Sequence, residues 1–121
     1  MTKILVIDDE ATLREELVDL LIFAGYDAVG VENGIVGITY ALQNHPDIIL
    51  CDVTMPQIDG HKVLTELRAN VATADIPFIF MTARAAEDDI RHGLDLGAAQ
   101  YITKPFRHKE LIAAIEAHLH K

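Results

Sequence analysis

Five residues whose side chains could hold a phosphate group or a metal ion stand within two positions of the end of a short apolar run. They are Asp8, Asp9, Asp52, Thr82 and Lys104. Carboxylates bind hard cations, a lysine supplies a compact positive charge, and a threonine hydroxyl donates to an oxygen. Each alone has an ordinary structural explanation, because aspartates often cap helices and lysines usually lie at the surface. Their common position after apolar runs predicts one phosphate-handling site.

Three carboxylates in a small volume repel one another. At about 4 Å, two unit charges repel by on the order of 4 kcal/mol at an effective dielectric of ~20. Therefore either one carboxyl keeps its proton or a cation lies among them. An oxygen-rich site with few protein ligands favours Mg²⁺, which retains water molecules and accepts phosphate oxygens. Lys104 and Thr82 could then stabilise a phosphoryl group in transfer to a carboxylate.

Five apolar runs determine where these residues lie in the fold. The runs cover residues 4–7, 28–31, 48–51, 78–81 and 101–102. Short aliphatic and β-branched runs bounded by Asp, Gly or Pro are typical of strands. The first, third and fourth are continuously apolar, which indicates strands covered on both faces. The second contains Gly30 and the fifth is flanked by polar residues, so we expect these two at the sheet edges.

Helical patterns lie between the apolar runs. The first helix has leucines at helical spacing and ends at Gly25, and Thr12 with Glu15 predicts a capping box at its start. Four more helices are predicted, at 35–44, around 63–67, at 86–96 and at 111–119. Regular alternation of strand and helix predicts an α/β fold with a doubly wound, five-stranded parallel sheet and five helices. Ligands of such sheets bind beyond the carboxyl ends of the strands, where the five candidate residues stand.

Composition excludes several classes of function. Ten Lys plus Arg against 19 Asp plus Glu give the 121 residues a formal net charge of −9, which argues against direct nucleic-acid binding. Cys51 is the only cysteine and lies in an apolar run, so we expect a buried core residue and no internal disulfide. The apolar stretch at the N-terminus is too short for a signal peptide or a membrane span, which predicts a soluble, cytoplasmic protein.

Four separated motifs, in order, resemble the signatures of the bacterial response-regulator receiver domain. They are Ile-Leu-Val-Ile-Asp-Asp-Glu at 4–10, Asp-Val-Thr-Met-Pro at 52–56 leading to Asp59 and Gly60, Met-Thr-Ala at 81–83, and Tyr-Ile-Thr-Lys-Pro-Phe at 101–106. The resemblance spans the whole chain. It implies one receiver domain over residues 1–121 with a flavodoxin-like fold and the strand order 2-1-3-4-5.

The resemblance also implies a role for each site residue. Asp52 would accept a phosphoryl group, and Mg²⁺ would be bound by Asp9, Asp52 and the backbone carbonyl of Thr54, with Asp8 acting through water. Thr82 and Lys104 would bind the phosphoryl group. The Lys104-Pro105 bond would be cis, which would aim the lysine into the site.

Further implied roles concern switching and the lifetime of the phosphoryl group. Tyr101 matches the family's switch aromatic, expected to turn inward as Thr82 moves, although an ordinary amphipathic edge-strand tyrosine would look the same. Thr54 and Arg84 occupy positions that tune how fast water removes the phosphoryl group. Arg84 could reach toward the phosphate or lie solvated, and we expect it to be solvated.

The partners are implied in the same way. A histidine kinase or a histidine phosphotransfer protein would supply the phosphoryl group from a phosphohistidine. The domain would be a switch rather than an enzyme, acting only on its own phosphoryl group, and would signal through the face formed by the fourth helix, the fifth strand and the fifth helix. Many DNA-binding members dimerise through this face with acidic residues where this chain has Ala99 and Gln100, which puts that homodimer in doubt. The output partner, or an effector domain, is not predicted by the sequence.

Other functions would require different residues at these positions. A haloacid-dehalogenase-like phosphatase would have an aspartate two residues after its nucleophile, where this chain has Thr54. A flavodoxin-like electron carrier would have a hydroxyl- and glycine-rich loop in place of Asp8 and Asp9. A phosphorylation-independent interaction domain would have no need of the complete set of site residues. The six histidines, at positions 45, 61, 92, 108, 118 and 120, form no convincing ligand set, and we expect them at the surface.

Overall fold

A five-stranded parallel sheet in the order β2-β1-β3-β4-β5 forms the centre of the computed structural model, which describes residues 1–119. The strands are β1 (Lys3–Ile7), β2 (Asp27–Val31), β3 (Ile48–Cys51), β4 (Phe78–Thr82) and β5 (Gln100–Thr103). The helices are α1 (Ala11–Phe23), α2 (Gly34–Asn44), α3 (Gly60–Ala69), α4 (Glu87–Asp95) and α5 (His108–Leu119). The predicted fold class, strand order and edge strands are confirmed.

Two apolar clusters cover the two faces of the sheet. Alternate residues of the strands point to opposite faces, so Ile4 and Val6 of β1 belong to one cluster and Leu5 and Ile7 to the other. The first cluster packs against α1 and α5, and the second packs against α2 and α3. The central strands β1, β3 and β4 are therefore buried on both faces, as their continuous apolar sequences predict. Cys51 is fully buried in the second cluster, which confirms its prediction as a core residue.

The predicted capping box at the start of α1 is wrong. The helix begins at Ala11 after an extended Glu10, and no side chain caps its first turn. The Oδ1 atom of Asp8 instead accepts a hydrogen bond from the backbone N–H of Glu10 at 2.9 Å. This bond bridges the turn between β1 and the helix, and Thr12 already lies within the helix, so it is not the N-cap.

The other helix boundaries lie within about a turn of the predicted ones. Helix α2 has Asn33 as its N-cap, whose side chain accepts from the Val36 N–H at 2.9 Å, and it ends before Pro46 as predicted. Helix α4 is one residue shorter than predicted at each end, because Ala86 and Leu96 are its caps. Gly25 ends α1 with a positive φ of 99°, a conformation that glycine adopts without a steric penalty. Within residues 1–119, none of the helices has the length and apolar character needed to cross a bilayer.

Candidate functional site

The carboxyl ends of the strands bring the predicted site residues to one edge of the sheet. Ile7 pairs with Cys51 in the register of β1 and β3, so the residues that follow, Asp8 and Asp52, are neighbours. The backbone N–H of Asp52 donates to the Ile7 carbonyl at 3.1 Å, which continues this pairing past the end of β3. At the ends of β4 and β5, the Lys104 N–H donates to the Thr82 carbonyl at 2.8 Å.

Lys104 bridges the two buried aspartates. Its Nζ atom lies 2.8 Å from Oδ2 of Asp52 and 3.2 Å from Oδ2 of Asp8. Asp8 is fully buried, Asp52 is 8% exposed, and the lysine side chain is 19% exposed. Burial alone lowers the pKa of Lys104, but the hydrogen bond and charge of Asp52, followed by those of Asp8, outweigh it and raise that pKa above its ordinary value. The lysine is therefore a fixed positive charge at neutral pH. The peptide bond between Lys104 and Pro105 is cis.

The three aspartates form a set of oxygens that fits a hard divalent cation. Asp8, Asp9 and Asp52 each offer a carboxylate oxygen, and these oxygens lie within 4.8 Å of one another. Asp8 and Asp52 are buried while Asp9 is exposed, so the set is closed on the protein side and open to water on the other. One lysine cannot balance three carboxylates. Oxygen ligands with room for water suit Mg²⁺ better than a softer metal.

The loop after β3 supports the carboxylate of Asp52. Its Oδ1 atom accepts a hydrogen bond from the Thr54 N–H at 3.1 Å, and Oδ2 faces Lys104. Thr54 itself is exposed, and the Gly60 N–H donates to the Val53 carbonyl at 2.8 Å, which closes the loop onto the start of α3. A Cβ on Gly60 would collide with the Asp52 carbonyl oxygen, so the loop needs glycine there.

The family model described as the response regulator receiver domain matches residues 4–116. The chain belongs to this family. Receiver domains of response regulators serve two-component signalling and are not enzymes in the ordinary sense, and they bind Mg²⁺ at an acidic cluster of the kind that Asp8, Asp9 and Asp52 form here. The two alternatives, a phosphorylation-independent interaction domain and a haloacid-dehalogenase-like phosphatase, are not favoured.

Two relatives and one solved structure illustrate the similarity. The chain is 41% identical over 119 residues to a probable transcriptional regulator, ycf27, of Porphyridium aerugineum, covering 98% of this chain and 48% of the relative. It is 39% identical over 121 residues to RpaA of Synechocystis sp., a DNA-binding dual master transcriptional regulator, covering 100% of this chain and 50% of the relative. The receiver therefore spans about half the length of these curated relatives.

The solved structure is the receiver domain of the sensor histidine kinase PA1611 from Pseudomonas aeruginosa. It superposes with a TM-score of 0.92 at 28% identity, covering 99% of this chain and 98% of that one. That domain has a magnesium ion coordinated in its active-site cleft. The likeness agrees with the donor set that the three aspartates present in this receiver.

Thr82 and Tyr101 both bind the backbone of Arg84, in the loop between β4 and α4. The Arg84 N–H donates to the Thr82 hydroxyl oxygen at 3.3 Å, and the Tyr101 hydroxyl donates to the Arg84 carbonyl at 2.8 Å. Burial, and then the charge of Asp89, raise the pKa of Tyr101, which keeps its hydroxyl protonated. The Arg84 guanidinium pairs with Asp89 of α4 at 2.8 Å, with its side chain 46% exposed. One loop residue thus contacts Thr82, Tyr101 and α4.

Sequence reasoning did not foresee the structural roles of three contributors to this site. Arg14 of α1 donates from Nη1 to the Asp8 carbonyl at 2.8 Å. Gly60 allows the close approach to the Asp52 carbonyl, and the main chain of Arg84 joins two predicted site residues. The glycine next to an aspartate in the motif at 59–60 was the one available signal, since Arg14 and the Arg84 backbone carry none.

The histidines of the described residues lie outside this site. His45, His92 and His108 are exposed as predicted, but His61 and His118 are partly buried. The His61 ring packs edge-on against His92, with centroids 4.6 Å apart, and against Phe80, at 5.4 Å. His118 lies 3.0 Å from the Gln100 side-chain oxygen. His120, which was also expected at the surface, lies outside the described residues.

Proposed function

We propose that this receiver is a phosphorylation-dependent switch that accepts a phosphoryl group on Asp52 from the phosphohistidine of a histidine kinase or a histidine phosphotransfer protein. An Oδ atom of Asp52 forms the new P–O bond as the P–N bond of the donor breaks, and the electron pair of that bond returns to the donor's imidazole. The observation that carries this proposal is the position of the Asp52 carboxylate, held between Lys104 and the acidic cluster at the open end of the sheet.

We assign the metal to the same carboxylates. Asp9, Asp52 and the backbone carbonyl of Thr54 would hold Mg²⁺, with Asp8 acting through water. When bound, the ion neutralises charge on the phosphoryl oxygens. Asp8 keeps Lys104 in place through its 3.2 Å contact, and Lys104 stabilises the negative charge that the transferred group brings. These residues supply positioning and electrostatics, which are the main requirements of phosphoryl transfer.

The contacts of Arg84 suggest how the phosphoryl group changes the shape of the domain. Phosphorylation adds about −1.5 to −2 charges and three strong acceptors at Asp52. The Thr82 hydroxyl turns toward a phosphoryl oxygen and leaves the Arg84 N–H. Because the same loop residue binds Tyr101 and Asp89, a shift of its backbone moves the tyrosine inward and changes the position of α4. The face formed by α4, β5 and α5 would transmit this change.

The remaining assignments follow the family. Thr54 and Arg84 would tune the slow loss of the phosphoryl group to water, which is the only turnover this domain would catalyse. Residues 1–121 would form one receiver domain in the cytoplasm, with no nucleic-acid or membrane contact of its own. The output partner is either an effector domain or a separate protein, and a homodimer through α4, β5 and α5 would have to form without acidic residues at Ala99 and Gln100.

Mass spectrometry after incubation with acetyl phosphate and Mg²⁺ tests the proposal. We expect the wild-type domain to gain one phosphoryl group, and EDTA or Asp52→Asn to prevent it. Asp19→Asn, which changes an exposed aspartate of α1 in the same way, is the matched control and should be phosphorylated like the wild type. No mass gain in the wild type would favour a phosphorylation-independent interaction domain. Continuous release of phosphate, far beyond one equivalent per chain, would favour a phosphatase.

A further inference from the structure

Arg14 binds the main chain between the two aspartates that begin the acidic cluster. It lies in the first turn of α1, and its Nη1 donates to the carbonyl oxygen of Asp8 at 2.8 Å. This carbonyl belongs to the peptide group that joins Asp8 to Asp9. Its direction therefore determines how the two carboxylates project from the loop, one into the protein and one toward solvent.

The guanidinium completes a set of bonds that holds Asp8 on every side. The Asp8 N–H donates to the Val31 carbonyl of β2 at 3.2 Å, and Oδ1 accepts from the Glu10 N–H at 2.9 Å. Oδ2 faces Lys104. The backbone carbonyl of Asp8 is the remaining polar group, and Arg14 donates the hydrogen bond that it accepts. Asp9 is exposed and directly follows the peptide group that Arg14 holds, so the direction of this group affects where the Asp9 carboxylate lies.

Gly30 provides the space through which the arginine stem reaches this carbonyl. A Cβ built on Gly30 would lie 2.8 Å from Cγ of Arg14 and 3.1 Å from both Cδ of Arg14 and Cγ2 of Val18. Gly30 pairs with Val6 in the register of β1 and β2, one position before the pair that ends both strands. A glycine inside a strand weakens the strand and often marks a place where another group approaches closely, and here that group is the Arg14 side chain.

We propose that Arg14 is a positioning residue for the cation site, which orients Asp8 and Asp9 through the carbonyl of Asp8, and that Gly30 is required because it lets the arginine stem through. This inference depends on the proposed function, since it concerns the same Mg²⁺ site. Arg14 touches the peptide group between the ligands and has no role in the transfer step itself.

The sign of one effect separates positioning from simple electrostatics. Arg14 carries a positive charge close to a cation site, so its repulsion of Mg²⁺ weakens binding. If charge alone mattered, replacing Arg14 with a neutral residue would tighten Mg²⁺ binding. If positioning dominates, the same replacement weakens binding. Loss of a residue that orients metal ligands typically costs about tenfold or more in affinity.

Isothermal titration with MgCl₂ measures the effect directly, without a phosphoryl donor. We expect Arg14→Met to weaken Mg²⁺ binding about tenfold and Arg14→Lys, which retains a charged donor, to weaken it less. Gly30→Ala should also weaken binding in the wild-type background, yet add little to Arg14→Met, since the carbonyl contact is already lost. Arg91→Met, which removes an exposed arginine of α4, is the control and should leave the affinity unchanged. Thermal unfolding in EDTA verifies that each variant is folded.

Each outcome supports or overturns the inference. Unchanged or tighter Mg²⁺ binding by folded Arg14→Met overturns it, as does a Gly30→Ala effect that is fully additive with that of Arg14→Met. If Arg14→Met does not fold, Arg14→Lys and Gly30→Ala decide, because normal affinity in both would overturn the inference. Absence of Mg²⁺ binding by the wild type would instead refute the metal site, and this inference with it.

Discussion

Replacing Lys104 with methionine removes the one cation that lies between two buried carboxylates. At an effective dielectric of about 20, the contacts of 2.8 Å to Asp52 and 3.2 Å to Asp8 correspond to gross attractions of about 6 and about 5 kcal/mol. Desolvation of the lysine, 19% exposed, offsets much of this. Removing one partner of a buried pair costs about 3–5 kcal/mol. We expect about 3 kcal/mol for Lys104→Met, because the cluster is open to water beside Asp9.

Urea denaturation followed by circular dichroism measures this loss, since the chain has no tryptophan for fluorescence. In EDTA, Lys104→Met should unfold with a free energy lower by about 3 kcal/mol, which corresponds to a Tm lower by roughly 10 °C. Mg²⁺ should stabilise the variant more than the wild type, because the ion neutralises the carboxylates that the lysine has left and meets no competing charge.

Lys62→Met is the matched control for this experiment. Lys62 pairs with Glu66 at 3.0 Å, a similar distance, but the two side chains are 58% and 48% exposed. A pair so exposed contributes about 0.3–0.5 kcal/mol. If Lys104→Met lost no more stability than Lys62→Met, or if Mg²⁺ stabilised both equally, the buried charge cluster would not be coupled to the fold as the distances imply.

Two further perturbations test the surroundings of the site. Gly60→Ala should lower the free energy of unfolding by about 1–3 kcal/mol and slow phosphorylation, since its Cβ would push against the Asp52 carbonyl; urea denaturation with acetyl phosphate kinetics measures both, and normal values for both would contradict the close approach. Burial lowers the pKa of His61 below its ordinary 6.5, so below that pH the unfolded chain binds more protons and stability falls with acidification. The dependence of the unfolding free energy on pH should be flatter in His61→Phe than in the wild type.

The strands were predictable from sequence because burial on two faces demands a continuous apolar run. The runs that became β1, β3 and β4 have no polar interruption, and all three are central in the sheet. The start of α1 was not predictable in this way. Thr12 and Glu15 have the spacing of a capping box, but Thr12 lies inside the helix, and the turn before the helix is bridged by the hydrogen bond from the Glu10 N–H to the Asp8 carboxylate. The local sequence pattern therefore did not decide where this helix begins.

The grouping of the acidic residues was also predictable, because parallel strands end at the same edge and an aspartate that follows a buried strand must lie there. The atoms that each side chain contacts were not predictable from the sequence. That Lys104 contacts both Asp52 and Asp8, with distances of 2.8 and 3.2 Å, depends on the course of the chain after β5. The side chain of Arg14 reaches the Asp8 carbonyl by passing close to Gly30, which belongs to the next strand, and no local pattern predicts this approach.

Amino-acid order alone determined the element types, the edge of the sheet at which the aspartates collect and the acidic character of that edge, because these follow from periodicity, strand direction and side-chain type. Tertiary packing decided which atoms meet: the lysine shared by two carboxylates, the loop residue that binds both Thr82 and Tyr101, and the arginine that holds a carbonyl. Some of these contacts join residues far apart in the sequence, such as Lys104 and Asp8, and others join residues only a few positions apart, such as Arg14 and Asp8. No local pattern reports the distances of either kind, because they depend on how the assembled sheet places the loops.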